Sequence, residues 1–227
     1  MLKIKWLGQS GYILQDGKSA VCIDPYLSDS VEAVTGAKRM IPAPVLPENL
    51  CADAVICTHN HLDHLDPGSI QKMDKERTVF LAPLDCEAQL RELGVLKYTP
   101  FDTGATIKIG GIEVSAAYAK HTIPAIGVLI GVDGYGLYFT GDTLYDSELE
   151  KVKCDILFVC INGRLGNMSV EEAVKLTKKI QPKIGVPNHY GMFLDNTEDP
   201  MKYAKHIQHG FIMQPDVWYE LHEILGK

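Results

Sequence analysis

Four potential metal ligands lie within six residues of this chain. His59, His61, Asp63 and His64 directly follow a short apolar run over residues 54–57 that is typical of a buried strand. Clustered His and Asp side chains would cost core stability, so packing does not explain the run. In a loop from strand to helix, residues two apart can face one metal ion while the next pair faces another. A solvated polar loop without a metal is the alternative.

Length, charge and cysteine content restrict the class of protein. The 227 residues are enough for one large domain or two similar halves, and the formal net charge of −7 argues against a nucleic-acid surface. No run reaches the ~18 apolar residues of a membrane helix, and residues 1–6 do not resemble a signal peptide, so we expect a soluble cytoplasmic protein. The six cysteines include no C-x-x-C pair, which favours reduced, buried thiols.

The hydrophobic pattern predicts many short strands and few helices. Helices are expected at residues 67–75, 85–93, 170–180 and 200–208, with Ser169 and Glu172 forming a capping box for the third. Strands are expected at residues 3–7, 11–14, 20–23, 54–57, 79–82, 106–109, 112–117, 126–131, 136–139, 156–160 and 184–186. Gly110-Gly111 and Asp133-Gly134 are expected to form hairpin turns. Mostly antiparallel strands within each half, with helices in blocks, predict an α+β layered domain. Residues 27–50 are weakly patterned.

Further candidate residues follow later strand-like runs. His121 follows residues 112–120, Asp142 lies in the segment Phe-Thr-Gly-Asp-Thr, and His189 lies in Val-Pro-Asn-His-Tyr. Together with Asp24 in Cys-Ile-Asp-Pro and the H-x-H-x-D-H run, these ordered segments resemble the motifs of the metallo-β-lactamase superfamily from about residue 7 to 189. The resemblance implies that residues 1–227 form a single domain folded as a four-layer αββα sandwich.

The resemblance also implies a hydrolase with two divalent metal ions. His59, His61 and His121 would bind one ion, Asp63, His64 and His189 the other, and Asp142 would bridge the two, while Asp24 would hold the His-rich loop from behind the ligands. Imidazole and carboxylate ligands without thiolate suit Zn or Mn, and Fe is also compatible. A water activated by both ions would be the nucleophile, with Asp63 or Asp142 relaying a proton to the leaving group.

Within the superfamily, three segments resemble the L-ascorbate-6-phosphate lactonase group and its small hydrolase relatives. They are Gly-Arg-Leu-Gly-Asn-Met-Ser at 163–169, Val-Pro-Asn-His-Tyr-Gly-Met-Phe at 186–193, and Asn-Thr-Glu-Asp-Pro at 196–200. That lactonase is considerably longer than this chain. The resemblance implies hydrolysis of a lactone or ester bond in a small anionic, sugar-derived substrate.

Three residues are candidates for substrate contact. Arg164 follows a strand whose end should open on the metal face, and its guanidinium could bind a phosphate or carboxylate, with a surface salt bridge as the alternative. Asn188 and Tyr190 flank His189 and could contact substrate oxygens or only orient that imidazole. Gln9 stands where many superfamily members carry the His of a Gly-His-Ser turn, so a function of that His is not transferred to this chain.

Two other functions remain open at this point. A phosphodiesterase or nuclease could use the same dimetal core, although the acidic charge balance argues against a nucleic-acid partner. A diiron redox module usually replaces a ligand His by a carboxylate and carries a flavin domain, whereas His61 is intact here. We expect a small-molecule substrate and no membrane partner. A homo-oligomer could form through the apolar residues 211–213 and Trp218 near the C-terminus, and these residues could equally cap the core.

Overall fold

A computed structural model describes residues 2–226 of the chain. This part contains thirteen strands and six α-helices, together with short 3₁₀ helices at Pro47–Asn49, Leu84–Cys86 and Ser147–Lys151. The strands are β1 Lys3–Gly8, β2 Gly11–Gln15, β3 Ala20–Ile23, β4 Ala54–Ile56, β5 Val79–Ala82, β6 Tyr98–Pro100, β7 Thr106–Ile109, β8 Ile112–Tyr118, β9 Ile126–Val132, β10 Tyr135–Phe139, β11 Ile156–Cys160, β12 Ile184–Asn188 and β13 Trp218–Glu220. The helices are α1 Ser30–Thr35, α2 Pro67–Lys72, α3 Glu87–Glu92, α4 Val170–Ile180, α5 Pro200–Ala204 and α6 Leu221–Ile224.

The strands form two mixed sheets. The first has the order β13-β1-β2-β3-β4-β5-β6 and the second the order β12-β11-β10-β9-β8-β7. Strands β3 to β6 are parallel, as are β10 to β12, and the remaining pairs are antiparallel. The expectation of mostly antiparallel strands holds for the second sheet, where three of five pairs are antiparallel. The first sheet is evenly mixed, with three antiparallel and three parallel pairs. Helices and long loops connect the parallel strands, and such crossovers allow parallel pairing.

Alternating side chains place the first sheet between two apolar layers. Ile4, Trp6, Tyr12 and Leu14 belong to the main core, whereas Ile13 on the opposite face belongs to a separate cluster with residues of α2 and α3. The Tyr12 ring lies 5.0 Å from the Phe139 ring of the second sheet. The sheets therefore pack face to face, and α4 packs on the second sheet through its buried side. This arrangement confirms the predicted α+β sandwich with helices on its outer faces.

Turn chemistry sets the register of two hairpins in the second sheet. Asp133 and Gly134 both have positive φ, as a tight two-residue hairpin turn requires, and Gly110 also has positive φ at the β7–β8 turn. Both turns were expected from the sequence. Helix α4 has the predicted bounds, and Ser169 and Glu172 form its capping box.

The structure differs from the predicted elements in the less regular segments. Helix α1 lies inside the weakly patterned segment 27–50, and β6, β13 and α6 were missed because each is only three to six residues long. Helix α5 ends at Ala204, four residues before the predicted end. Near the C-terminus, Met213 is buried, Phe211 and Ile212 pack against the main core, and Trp218 is partly exposed. No helix within residues 2–226 is long and apolar enough to span a membrane.

Candidate metal centre

The His-rich run lies in the loop between β4 and α2. Asp66 caps α2 by accepting a hydrogen bond from the Gly68 N–H, and its carboxylate also accepts hydrogen bonds from the hydroxyls of Ser28, Ser30 and Ser69. This network fixes the far end of the loop, so the run is held at the carboxyl end of β4. The sequence predicted this strand-to-helix placement.

The other candidate ligands come from the second sheet. His121 follows β8, Asp142 follows β10, and His189 follows β12. Since β10, β11 and β12 are parallel, their carboxyl ends meet at one edge, and that edge faces the His-rich loop. Residues from both sheets therefore converge on a single centre, as the ordered motifs implied.

Three imidazoles form the first group of ligand atoms. His59 Nε2 lies 2.9 Å from His61 Nδ1, and His61 Nδ1 lies 3.3 Å from His121 Nε2. Two ligand atoms bound to one tetrahedral Zn²⁺ are about 3.3–3.5 Å apart, given metal–nitrogen distances of ~2.0–2.1 Å. The spacing of this group therefore suits one metal ion with little movement.

The second group combines imidazoles and a carboxylate. Asp63 Oδ2 lies 3.7 Å from His64 Nε2 and 3.6 Å from His189 Nε2. Asp142 approaches the same two imidazoles, with Oδ1 3.3 Å from His64 Nε2 and Oδ2 3.2 Å from His189 Nε2. A third combination, His59 with His64 and Asp142, connects the two groups. Asp142 thus occupies the position expected of a bridging carboxylate.

Hydrogen bonds to the outer nitrogens determine which nitrogen of each imidazole can face a metal. His121 Nδ1 lies 3.1 Å from the Gly166 carbonyl, and His64 Nδ1 lies 2.7 Å from Asp24 Oδ2. Carbonyl and carboxylate oxygens only accept, so both Nδ1 atoms must donate, which leaves each Nε2 free. His59 Nδ1 lies 3.0 Å from the Thr58 hydroxyl. These outer partners orient the rings as they do in metal sites.

Asp24 holds the His-rich loop from behind. Its Oδ1 accepts the Thr58 N–H at 2.7 Å, and its Oδ2 accepts the Thr58 hydroxyl at 2.7 Å in addition to His64. Asp24 is fully buried and has a φ of 43° in the left-handed region. Gln9 and His189 also have positive φ, of 50° and 58°. Strained backbone therefore concentrates around the centre, as is common at functional sites.

The electrostatics of the centre favour a bound cation. Once His64 Nδ1 donates to Asp24, the lone pair on a neutral Nε2 faces the Asp142 carboxylate, and these two lone pairs repel unless a proton or a metal ion lies between them. Burial alone lowers the pKa of His64, but Asp142 and Asp24 raise it well above its usual value. Burial also lowers the pKa of His189, and Asp142 outweighs it and raises that pKa.

The pKa values of Asp142, His59 and His61 are lowered, in contrast to those of His64 and His189. Burial would raise the pKa of Asp142, but His189 and His64 hold it well below its usual value. The pKa values of His59 and His61 are lowered, mainly by burial and also by neighbouring imidazoles. Neutral imidazoles beside an ionised carboxylate are the forms that bind divalent metals. Buried His64 Nε2 and Asp142 Oδ1 form no hydrogen bond, so the donor set fits divalent cations.

The three predicted substrate-contacting residues have different surroundings from the seven candidate ligands. Arg164 Nη1 donates to the Asp195 carbonyl at 3.0 Å and lines a cavity of about 550 Å³, which none of the candidate ligands lines. Asn188 is 1% exposed and accepts a hydrogen bond from the Tyr12 hydroxyl. Tyr190 is 7% exposed, and its ring lies 4.9 Å from that of Trp6. The surroundings of Asn188 and Tyr190 favour orientation of neighbouring residues over substrate contact.

Two residues of the centre carried no predicted role. Asn167 Nδ2 donates to Asp142 Oδ2 at 2.8 Å, and Gln9 Nε2 donates to Asp63 Oδ2 at 2.8 Å. Neither amide is a typical ligand, and each approaches the centre through a tertiary contact. Two sequence signals mark Gln9: its position in the turn between Gly8 and Gly11, and its replacement of the His that many superfamily members carry in that turn.

Comparisons with known proteins identify the family. Residues 20–190 match the model of the Beta-lactamase superfamily domain. A protein of Archaeoglobus fulgidus named a metal-dependent hydrolase is 30% identical over 91% of each chain, and one of the same name from Methanosarcina mazei is 28% identical over 91% of each chain. The solved structure of a metallo hydrolase from Ignicoccus hospitalis has a TM-score of 0.75 at 22% identity and covers 97% of this chain and 99% of that chain, which shows the shared fold.

The chain belongs to the beta-lactamase superfamily domain family, as the match over most of its length shows. Its relatives and its clustered His and Asp ligand atoms further define it as a metal-dependent hydrolase of that superfamily.

Proposed function

We propose that this enzyme uses two divalent metal ions, Zn or Mn with Fe also compatible, to hydrolyse a lactone or ester bond in a small anionic, sugar-derived substrate. The observation that carries the proposal is the pair of ligand groups, His59, His61 and His121 beside Asp63, His64 and His189, with Asp142 placed between them. Two adjacent sites of this kind suit hydrolysis by an activated water.

When bound, two such cations lower the pKa of water from ~15.7 towards neutrality and polarise the oxygen of the scissile bond. The chain's own part is to hold, orient and move protons. Asp142 is the weaker candidate for proton transfer, because it is buried and its oxygens already face Asn167, His64 and His189. Asp63 is 17% exposed, and only its Oδ2 is bonded by Gln9. We therefore assign the relay of a proton to the leaving group to Asp63.

A protein nucleophile is not needed in this mechanism. Burial raises the pKa of the Cys86 and Cys154 thiols to about 12 and that of Cys160 to about 11. Such thiols are almost entirely protonated near neutral pH, and the thiolate is the reactive form. These cysteines therefore support a mechanism based on water and not on covalent catalysis.

The anionic end of the substrate is assigned to the surface near Arg164. Lys202 and Lys205 line the same cavity as Arg164, although Glu171 and Glu198 also contribute to it and Glu198 pairs with Lys202. The segment 163–167 connects this cavity with the centre, since Arg164 lines the cavity while Asn167 donates a hydrogen bond to Asp142.

The test is a substrate panel with the Zn-loaded and Mn-loaded protein. Lactones, simple esters, phosphodiesters and phosphosugars are compared, with metal content measured on the same samples. We expect hydrolysis of lactones, highest for those that carry a phosphate or carboxylate, and loss of both metal and activity in His61→Ala. The exposed His209→Ala variant is the matched control and should keep both. Activity on phosphodiesters alone would replace the lactonase proposal with the phosphodiesterase alternative.

A further inference from the structure

The turn between β1 and β2 carries a buried glutamine into the candidate centre. Gln9 is fully buried, and its Nε2 lies 2.8 Å from Asp63 Oδ2 and 3.3 Å from His189 Nε2. The backbone at this residue is fixed as well, because the Trp6 indole N–H donates to the Gln9 carbonyl at 2.9 Å. The amide is therefore aimed at the second ligand group, Asp63, His64 and His189, and its backbone is tied down.

Packing alone does not explain a glutamine at this position. Its Oε1 is buried and forms no hydrogen bond, and burying an unpaired amide oxygen opposes folding. Its backbone has a φ of 50°, in the left-handed region that most side chains avoid. An apolar side chain would fill the same space without leaving an unpaired oxygen. The bond from Nε2 to Asp63 is the contribution that only a hydrogen-bond donor can make here.

Asp63 needs such a donor because of where it lies. It is in the loop after β4, and its described side-chain contacts are with Gln9 and with the imidazoles of His64 and His189. The Nε2 atoms of those imidazoles would bind the cation and could not donate a hydrogen bond to Asp63. The amide N–H of Gln9 could still donate one. One carboxylate oxygen can accept a hydrogen bond and bind a metal at the same time.

We infer that Gln9 is a positioning residue of the second metal site, where its amide N–H holds Asp63 Oδ2 at the distance from His64 and His189 that a shared ion requires. The inference rests on the proposed function only in that the second ligand group binds a metal ion. Gln9 acts through Asp63 and has no part in substrate recognition. Mutation of a residue that hydrogen-bonds to a metal ligand typically lowers metal affinity by about 10–100-fold.

The first test is a two-step metal titration of Gln9→Met, which removes the donor and keeps the side-chain length. Zn²⁺ is added to metal-free protein in competition with a chromophoric chelator, and Co²⁺ absorption spectra are recorded for each equivalent. The second equivalent is the one bound by Asp63, His64 and His189, and the first is the one bound by His59, His61 and His121, whichever fills earlier. We expect affinity for the second equivalent to fall by about 10–100-fold and its Co²⁺ spectrum to shift, with the first equivalent unchanged. Gln71→Met, an exposed glutamine on α2, is the matched control and should titrate like the wild type.

Two further variants separate positioning from a purely structural role. Gln9→Gly removes the side chain and relieves the left-handed backbone, so it should weaken the second equivalent like Gln9→Met while the metal-free Tm falls little. In an Asp63→Ala background, Gln9→Met should cause no additional loss of affinity. Three results would each overturn the inference. They are equal losses of affinity for both equivalents, losses of affinity that add in the double variant, and a Gln9→Met titration identical to that of the wild type.

The outcome also distinguishes this inference from the proposed function. A protein that binds two ions, shows the selective loss in Gln9→Met and hydrolyses no lactone would retain the positioning role and lose the lactonase proposal. If the protein hydrolyses lactones and Gln9→Met titrates like the wild type, the lactonase proposal is retained and the positioning role is lost. A wild-type protein in which Asp63, His64 and His189 bind no ion would contradict the positioning role directly.

Discussion

Individual residues define the centre mainly by leaving one nitrogen of each imidazole free. His64 donates from Nδ1 to Asp24 and His121 donates from Nδ1 to the Gly166 carbonyl, so both present Nε2 to the centre. The tautomer of each ring thus depends on a partner that lies far from it in the sequence.

Asp24→Asn is expected to weaken metal binding without removing a ligand. An amide nitrogen opposite His64 Nδ1 would favour the tautomer with the proton on Nε2, the atom that faces the second ligand group. We expect about a 10–100-fold loss of affinity, measured by chelator competition. Asp85→Asn, on an exposed 3₁₀ turn, is the control. Unchanged affinity in Asp24→Asn would contradict the orienting role of Asp24.

Metal affinity is expected to rise with pH. The pKa values of His64 and His189 lie above the ordinary 6.5, so in the metal-free protein these rings keep protons that a metal must displace. Those protons stabilise the metal-free fold below pH 6.5, and their contribution is lost as the pH rises through the raised values. Titration calorimetry in buffers of different ionisation enthalpy measures the protons released. A metal affinity that stays constant between about pH 6 and pH 9 would contradict this assignment.

The residues that the sequence identified best were those with distinctive chemistry in ordered motifs. His59, His61, Asp63, His64, His121, Asp142 and His189 all converge in the structure. Gln9 and Asn167 were not assigned because an amide acquires its meaning only from the tertiary contact it makes. Arg164, Asn188 and Tyr190 adjoin site segments in the sequence, but adjacency to a motif does not determine where a side chain points.

Among the structural elements, the segment between β11 and α4 bears most directly on the centre. Gly166 has a φ of 88°, and its carbonyl accepts from His121. A Cβ at Gly166 would lie 2.9 Å from His121 Nδ1, closer than side chains tolerate. The backbone of this segment therefore needs glycine both for its conformation and for the space beside a candidate ligand.

Gly166→Ala is expected to disturb the first ligand group, and Gly17→Ala serves as its control. Both glycines have a φ of 88°, but a Cβ at Gly17 would meet nothing within 4 Å. Each substitution should lower the free energy of unfolding by about 1–2 kcal/mol through backbone strain. Only Gly166→Ala should also weaken the first metal equivalent, because it displaces His121. Equal metal affinities in the two variants would show that the alanine is accommodated without moving that ring.

Element prediction succeeded where the local pattern was strong. Helix α4, with its eleven residues and capping box, and the hairpin at Asp133 and Gly134 were both predicted from local chemistry. Strand β6 and strand β13 have three residues each, and they exist because neighbouring strands offer unpaired backbone groups. Such pairing is a property of the assembled sheet and leaves little trace in local hydrophobic periodicity.

In the molecule as a whole, the centre lies between two sheets whose ligand-bearing segments are far apart in the sequence. The first sheet contributes the His-rich loop and the second contributes His121, Asp142 and His189. Periodicity could not predict which sheet faces outwards or how the parallel strands pair. The superfamily motifs supplied that layer arrangement, and the structure confirms it.

Removing metal is expected to destabilise the fold and abolish hydrolysis together. Each ion bound across the sheets stabilises only the folded state, by about 2.7 kcal/mol at a concentration 100 times its Kd. For a protein of this size that corresponds to a Tm increase of roughly 5–11 °C. Differential scanning calorimetry of chelated and reloaded protein measures this shift, and reloading should restore activity. Full activity after complete chelation, or equal Tm values, would rule out the dimetal mechanism.

The left-handed backbone at Gln9, Asp24 and His189 also bears on how this enzyme could be engineered. Glycine would relieve the backbone strain at each position, but the same change would remove an inferred metal-positioning amide, a loop-holding carboxylate or a candidate ligand. At Asp24 it would also leave the buried Thr58 N–H without its acceptor, which opposes folding. Backbone strain at these three positions therefore does not make them sites for stabilising substitutions, and a stabilised variant should be sought elsewhere in the chain.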